Sequence, residues 1–368
     1  VIYDFIVIGA GSAGAHTAYF LKKGGAKVLV LEQNEIASGG SGAAGAFISP
    51  RLGRGGPLQK VTNEAFRFSV DFYKKNFSHL FHQTGILRVP KDDEDAKKFE
   101  EYKKFLDVEH TILSSDEIED LKDYAKKFGG IFFKDGGVIN AKNLCEELLK
   151  DIDVKCAILV KELKKEDNFF NVEGFKGKSV ILATGAWDEL LNESYIKIGK
   201  VAGIRFDVKS SLNLPYSVHK KISISKKIED KIVIGATHKR LENINQNFCR
   251  PDGSLLQEAK KMAEFEEIEL LQMYCGVRSS VNDHLPIVGE LIDLKEALKL
   301  FKGVKKKPKK SELPREKGVY IINGFGGRGF VFGPYLAKIL SDFIINSKEI
   351  DERVDMDRYF YRFLKRLK

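Results

Sequence analysis

Cysteine is scarce. The 368 residues include four cysteines, three methionines, nine prolines and one tryptophan. Cys145, Cys156, Cys249 and Cys275 lie far apart and form no C-x-x-C pair, so neither a zinc knuckle nor a thioredoxin-like redox motif is indicated. Dispersed thiols of this kind read as buried free cysteines in a reducing compartment. Long apolar runs are also missing, and nothing approaches the ~18 residues a membrane helix needs. The first apolar stretch, Phe5 to Ile8, runs at once into glycines and has the wrong length and flanks for a signal peptide. A cytoplasmic location is therefore expected. The chain opens on Val, which leaves room for residues upstream. The seven histidines scatter, and only His79 and His82 approach a ligand-like spacing, so no metal is expected. No internal repeat is visible.

Positive charge is in excess. Lys and Arg number 61 against 52 acidic residues, a net charge of +9. That balance favours an anionic partner, nucleic acid or a phosphate-rich ligand, or reflects a Lys-rich proteome. Single cores seldom grow past roughly 250–300 residues, so two domains or one elaborated domain are expected.

The apolar patterning gives a strand over 3–8, a helix over 12–24 and a strand over 27–32. A Gly/Ser/Ala-rich stretch, 38–45, is too poor in side chains to pack as an ordinary element. Helical periodicity runs over 58–82, and the charged segment 90–127 looks like a peripheral insertion. Beyond it the sequence predicts a helix near 141–150, strands over 154–163, 169–175 and 178–183, and β-like alternation over 199–240. A helix over 254–273, a strand over 318–323 and a helix over 334–346 follow, with a basic aromatic helix in the tail from Arg358.

Gly9-Ala10-Gly11-Ser12-Ala13-Gly14 is a G-x-G-x-x-G between a strand and a helix, with Glu32 at the end of the next strand. That context marks a dinucleotide site. Gly9 permits the tight turn, Gly11 lets backbone approach a pyrophosphate, and Gly14 allows close helix–strand packing. The helix N-terminus supplies free N–H groups and positive potential. Glu32 can accept from both ribose hydroxyls and repels a 2′-phosphate, which disfavours NADP. The motif alone does not separate FAD from NAD. Ser38-Gly39-Gly40-Ser41-Gly42 and the strand Val180-Ile181-Leu182 ending in Ala183-Thr184-Gly185 favour FAD, because they add phosphate and flavin-edge donors in the expected order.

In that order of motifs, with Gly136-Gly137 before a helix and a late glycine-rich loop, the chain resembles the D-amino-acid-oxidase superfamily, which includes glycine and sarcosine oxidases. Three stretches are similar to the FAD domain of the MnmC tRNA-modification family: Gly42 to Arg51 with the Asn63-Glu64-Ala65-Phe66 helix, Cys275 to Gly289 with its R-x-x-x-x-D-H-L-P-x-V-G string, and Gly324 to Gly329. The resemblance implies an α/β fold with a Rossmann-type FAD-binding domain (1–75, 136–195 and 275–368) and an antiparallel-sheet substrate domain (76–135 and 196–274). It implies FAD-dependent conversion of carboxymethylaminomethyl-uridine at the tRNA wobble position to aminomethyl-uridine. In that family a methyltransferase domain, absent from this chain, is usually fused upstream. A small-molecule amino-acid or sarcosine-type oxidase, and an RNA-binding protein with a structural flavin, are the competing readings.

The cofactor contacts expected on this basis are Gly9, Gly11, Ser12, Gly14, Glu32, Gln33, Ser38, Gly39, Ser41, Gly42, Val160, Ala183, Thr184, Gly185, Gly326, Gly327, Arg328, Gly329 and Phe330. The substrate carboxylate suits a bidentate arginine, first Arg278 and then Arg328. Backbone N–H groups of 326–330, and a helix starting with Pro334 in its first turn, are expected to stabilise charge on the reduced flavin. His284 reads as a structural residue of its motif. The lysines of 302–310 and the tail residues Arg358, Arg362, Lys365, Arg366 and Lys368 are expected to contact the tRNA backbone.

Overall fold

The computed structural model describes residues 1–191, 194–244, 248–251, 253–304 and 307–367, and the counts below are of those residues. A mixed sheet of eight strands forms the first layer. At its centre five segments run parallel in the order 153–155, 28–31, 2–8, 175–182 and 315–323, and the strand Ile287–Ile292 closes that side antiparallel. Every residue of Val28–Leu31 is buried, as a strand covered on both faces must be. The helices Ser12–Lys23 and Gly329–Asn346 pack together on one face.

A second sheet of nine strands takes Ile86–Arg88, Thr111–Leu113 and Gly130–Phe133 from the first half of the chain. The rest comes from 199–280. Its longest pair is antiparallel, Gly199–Lys209 against Glu269–Ser280. The second strand of that pair replaces the latter part of the helix expected over 254–273. The helix ends at Met262, and the Glu-rich segment after it is drawn into the sheet by eleven paired positions, tertiary pairing overriding local propensity. The strand expected over 154–163 shrinks to Asp153–Lys155.

The last long helix starts at Gly329, five residues before its expected start, so Pro334 lies inside it. Proline leaves the carbonyl four residues earlier, that of Phe330, without its helical donor. Tyr73, on the helix Pro57–Asn76, donates its hydroxyl to that oxygen at 2.7 Å, and Ser69 donates to the carbonyl of Val331 at 2.6 Å. Two side chains on one neighbouring helix thus satisfy carbonyls of the disturbed turn.

The cysteines depart from expectation. Cys249 and Cys275 are joined in a disulfide, Cys156 is exposed, and only Cys145 is a buried free thiol. Sequence spacing carries no information on this pairing, because the two cysteines are 26 residues apart and meet only in the folded chain. Among the described residues no helix is long and apolar enough to cross a membrane.

Candidate functional site

A cavity of about 890 Å³ is lined by both large sheets and by the loops between them. Its first wall is the turn after the strand Ile2–Ile8. Gly9 has φ +106°, and a Cβ there would meet the Ala183 carbonyl at 2.5 Å. A Cβ on Gly14 would lie 1.8 Å from the Gly9 carbonyl, so Gly14 serves helix–strand contact as expected, and it does not face the cavity. Glu32 accepts the Ala10 N–H at 2.8 Å and the Asn34 N–H at 3.0 Å, which fixes its carboxylate at the end of the second strand.

Two helix N-termini meet at this wall. Ser12 Oγ donates to the Gly329 carbonyl at 2.8 Å, joining the starts of Ser12–Lys23 and Gly329–Asn346. Neither helix has an acidic residue in its first turn, so both positive ends are available to an anion. Ser41 Oγ accepts the Ser12 N–H at 2.8 Å, bringing the Ser/Gly loop to the same place. Thr184 Oγ1 is buried beside the cavity with no hydrogen-bond partner. A fixed carboxylate, free N–H donors, a glycine turn and an orphaned hydroxyl fit a bound dinucleotide.

Most expected cofactor residues do line the cavity: Gly9, Gly11, Ser12, Glu32, Gln33, Gly39, Ser41, Val160, Ala183, Thr184, Gly185, Gly326, Gly327, Arg328, Gly329 and Phe330. Gly14, Ser38 and Gly42 do not. Ser38 is exposed, and Gly42 is needed inside its own loop, where a Cβ would lie 2.2 Å from the Ala37 carbonyl. The neighbouring Gly40 approaches the strand Glu269–Ser280 so closely that a Cβ would meet the Val277 carbonyl at 2.7 Å. The loop therefore abuts the strand that carries Arg278.

Arg278 lines the cavity, donates to the Thr237 carbonyl at 3.2 Å and lies against Gly203, whose missing side chain makes room for the guanidinium. Burial lowers its proton affinity, and it makes no ion pair among the described residues. Burial and then Arg278 lower the pKa of the adjacent His238, which favours a neutral ring. Arg328 donates to the carbonyls of Ser49 at 2.6 Å and Pro50 at 3.4 Å. Burial, then Arg88 and Arg51, push it down to about 9.

Sequence reasoning assigned no role to Arg51, Arg88, His219 or His238, all of which line the cavity. Arg88 carried a signal: it is the one charged residue in the run Ile86-Leu87-Arg88-Val89. His284 also lines the cavity, at φ +59°.

The basic tail differs from expectation. Arg358 Nε and Arg362 Nη1 contact Asp283 Oδ2 at 2.9 and 2.6 Å, and Tyr359 donates to Oδ1 at 2.8 Å. Burial alone would raise the Asp283 carboxyl, but these three partners hold it well below the usual range. Arg358 and Arg362 thus fasten the Asp-His-Leu-Pro turn instead of forming a free basic arm. In the lysine loop, Lys310 pairs with Asp355 and Lys307 lies 4.1 Å over the Tyr361 ring, while Lys305, Lys306 and the terminal Lys368 fall outside the described residues.

The FAD dependent oxidoreductase family (DAO) matches residues 4–343. Among curated relatives, the tRNA 5-methylaminomethyl-2-thiouridine biosynthesis bifunctional protein MnmC of Campylobacter concisus is 24% identical over 92% of this chain and 56% of its own length. The protein of that name from Legionella pneumophila strain Philadelphia 1 is 23% identical over 94% of this chain and 54% of its own length. The chain thus spans little more than half the length of these relatives. Among solved structures, glycine oxidase from Geobacillus kaustophilus superposes with TM-score 0.75 at 18% identity, covering 95% of both chains. L-proline dehydrogenase from P. horikoshii gives 0.73 at 19% identity, covering 99% of this chain and 98% of that one. With the nucleotide-binding wall in place and the family matched over most of its length, this chain belongs to the FAD-dependent oxidoreductases of the DAO family and takes FAD as its cofactor.

Proposed function

We propose that the chain oxidises the carbon–nitrogen bond of a substituted glycine, the carboxymethylaminomethyl group of a wobble uridine in tRNA, giving aminomethyl-uridine and glyoxylate. The observation that carries this reading is Arg278, a half-buried guanidinium in the cavity wall that makes no ion pair among the described residues. Similarity to the MnmC proteins over more than nine-tenths of the chain supports tRNA as the macromolecule that presents the group. We assign the strands of the eight-stranded sheet to the cofactor-binding domain and those of the nine-stranded sheet to the substrate domain, so the strand Glu269–Ser280 crosses the boundary expected at 274/275.

The FAD would be held by the Gly9–Gly14 turn, by Glu32 at the ribose and by the donors at the starts of the two joined helices. The chemistry it supplies there is two-electron acceptance from a C–H bond. Arg278 binds the glycine carboxylate through a two-pronged contact and fixes the methylene that is to lose hydride. The neutral amine nitrogen provides the electron pair, so the step requires no strong base. The His238 ring beside Arg278 has its proton affinity lowered, which favours the neutral form there. Loss of a hydride and a proton leaves an imine, to which water adds. Cleavage of the C–N bond then releases glyoxylate and the primary amine. Release of one glyoxylate per reduced flavin from wobble-modified tRNA tests the reading. Flavin reduction by tRNA without glyoxylate would contradict it.

A further inference from the structure

Three guanidinium groups share the cavity wall, and none of them is in an ion pair among the described residues. Arg51 lies just past the strand Phe47–Ile48, Arg88 ends the strand Ile86–Arg88, and Arg328 precedes the helix from Gly329. Arg328 is tied only to backbone, the carbonyls of Ser49 and Pro50, which places it beside the segment carrying Arg51. Arg88 Nε is buried without a hydrogen-bond partner. So is Nε2 of His219, which neighbours Arg88 in the register of the adjacent parallel strand. Among the described residues none of the three arginines makes an ion pair.

Like charges gathered away from bulk water cost free energy unless an anion completes the site. Burial is the first cause of the lowered proton affinity of Arg88, which Asp95 partly offsets and Arg51 adds to; burial, then Arg88 and Arg51, lower that of Arg328. Arg328 remains charged at neutral pH, so the cluster keeps its positive potential. A guanidinium held by two backbone carbonyls is fixed in direction, and the unpartnered Nε of Arg88 leaves that guanidinium a donor for a ligand.

We propose that Arg51, Arg88 and Arg328 form a second anion subsite, which binds an oxyanion of the substrate other than the carboxylate assigned to Arg278. The preferred substrate is then a secondary amine bearing two acidic groups, the second a carboxylate or a phosphate. The proposal rests on the reading of Arg278 only in calling the ligand the substrate.

The test uses the FAD-loaded full chain and three probes: acetate, malonate and inorganic phosphate. Binding is followed by perturbation of the flavin absorbance and by thermal shift. In the wild type, malonate or phosphate should bind about 10- to 100-fold more tightly than acetate, because extra charged hydrogen bonds are made. The tighter of the two names the source of the second oxyanion. Arg88→Gln should abolish that preference while acetate binding stays, and Arg278→Ala should weaken acetate while the preference stays. Arg88→Met removes a repelling charge, so its Tm without anion should equal or exceed that of the wild type. Equal affinity for all three anions in the wild type would overturn the proposal. So would an unchanged preference in Arg88→Gln, or loss of FAD and a lower Tm in Arg88→Met, which would mark Arg88 as purely structural. Since no tRNA enters the assay, failure of the tRNA reading and failure of the subsite are distinguishable.

Discussion

The hydroxyl of Tyr73 donates at 2.7 Å to the carbonyl of Phe330, the acceptor that Pro334 leaves without its helical N–H. The cofactor wall depends on this contact, because Phe330 lines the cavity at the start of its helix. Tyr73→Phe keeps the ring and removes the donor. An unsatisfied buried carbonyl costs about 1–3 kcal/mol. Tm should fall by several degrees in the apoprotein, and FAD affinity should weaken in parallel. Unchanged unfolding and FAD retention would show that the carbonyl finds another donor.

The same hydroxyl lies 3.3 Å from Nε2 of His16, whose Nδ1 is 2.7 Å from the Ser12 carbonyl. Burial pushes the His16 pKa down to about 4, from 6.5 in a free chain. Between those values the unfolded chain binds a proton that the folded one does not. This contribution to stability is therefore full above pH 6.5 and declines as the pH falls toward 4, by up to about 3 kcal/mol. His16→Gln should be less stable at pH 7 and lose less stability over that window. A loss identical to that of the wild type would place the acid sensitivity in other groups.

The nucleotide wall was legible in the sequence because each of its parts is local: Gly9, Glu32 and Thr184 all end strands whose apolar runs are unmistakable. The arginine cluster was not, because Arg51, Arg88 and Arg328 meet only through tertiary folding. Ser38 is expected as a ligand contact from its place in the Ser-Gly-Gly-Ser-Gly motif, yet it is exposed and does not line the cavity. The tail looked like a nucleic-acid arm because aromatic and basic residues alternate, while the acid that neutralises Arg358 and Arg362, Asp283, lies 75 residues before Arg358.

Arg278 is expected to carry substrate affinity while leaving the cofactor untouched. Arg278→Ala should lower kcat/KM by about 2–5 kcal/mol of lost interaction, roughly 30-fold to several-thousand-fold. Arg278→Lys should recover only part of this, since a point charge cannot reproduce the fork. FAD content should remain near normal. The check is single-turnover flavin reduction of both variants beside Arg328→Ala. Wild-type kinetics in Arg278→Ala with loss in Arg328→Ala would transfer the role to Arg328.

Binding of tRNA should be electrostatic and carried by the lysine loop. If about four to six phosphate contacts form, log affinity should fall with log salt at a slope of roughly −3 to −5. Replacing Lys305, Lys306 and Lys307 with Ala should flatten the slope and leave FAD content unchanged. Arg358→Ala should instead lower Tm, because a mostly buried Asp283 loses a partner worth about 1–3 kcal/mol. A flattened slope with an unchanged Tm in Arg358→Ala would restore the tail as the RNA contact.

The most direct test is anaerobic mixing of the FAD-loaded protein with tRNA carrying carboxymethylaminomethyl-uridine at the wobble position, with glycine, sarcosine and D-amino acids mixed in parallel. Stoichiometric bleaching of the flavin by the modified tRNA, faster than by any of the small amines, is the predicted result. Bleaching by a small amine and none by the tRNA would contradict it and make the chain a small-molecule amine oxidase.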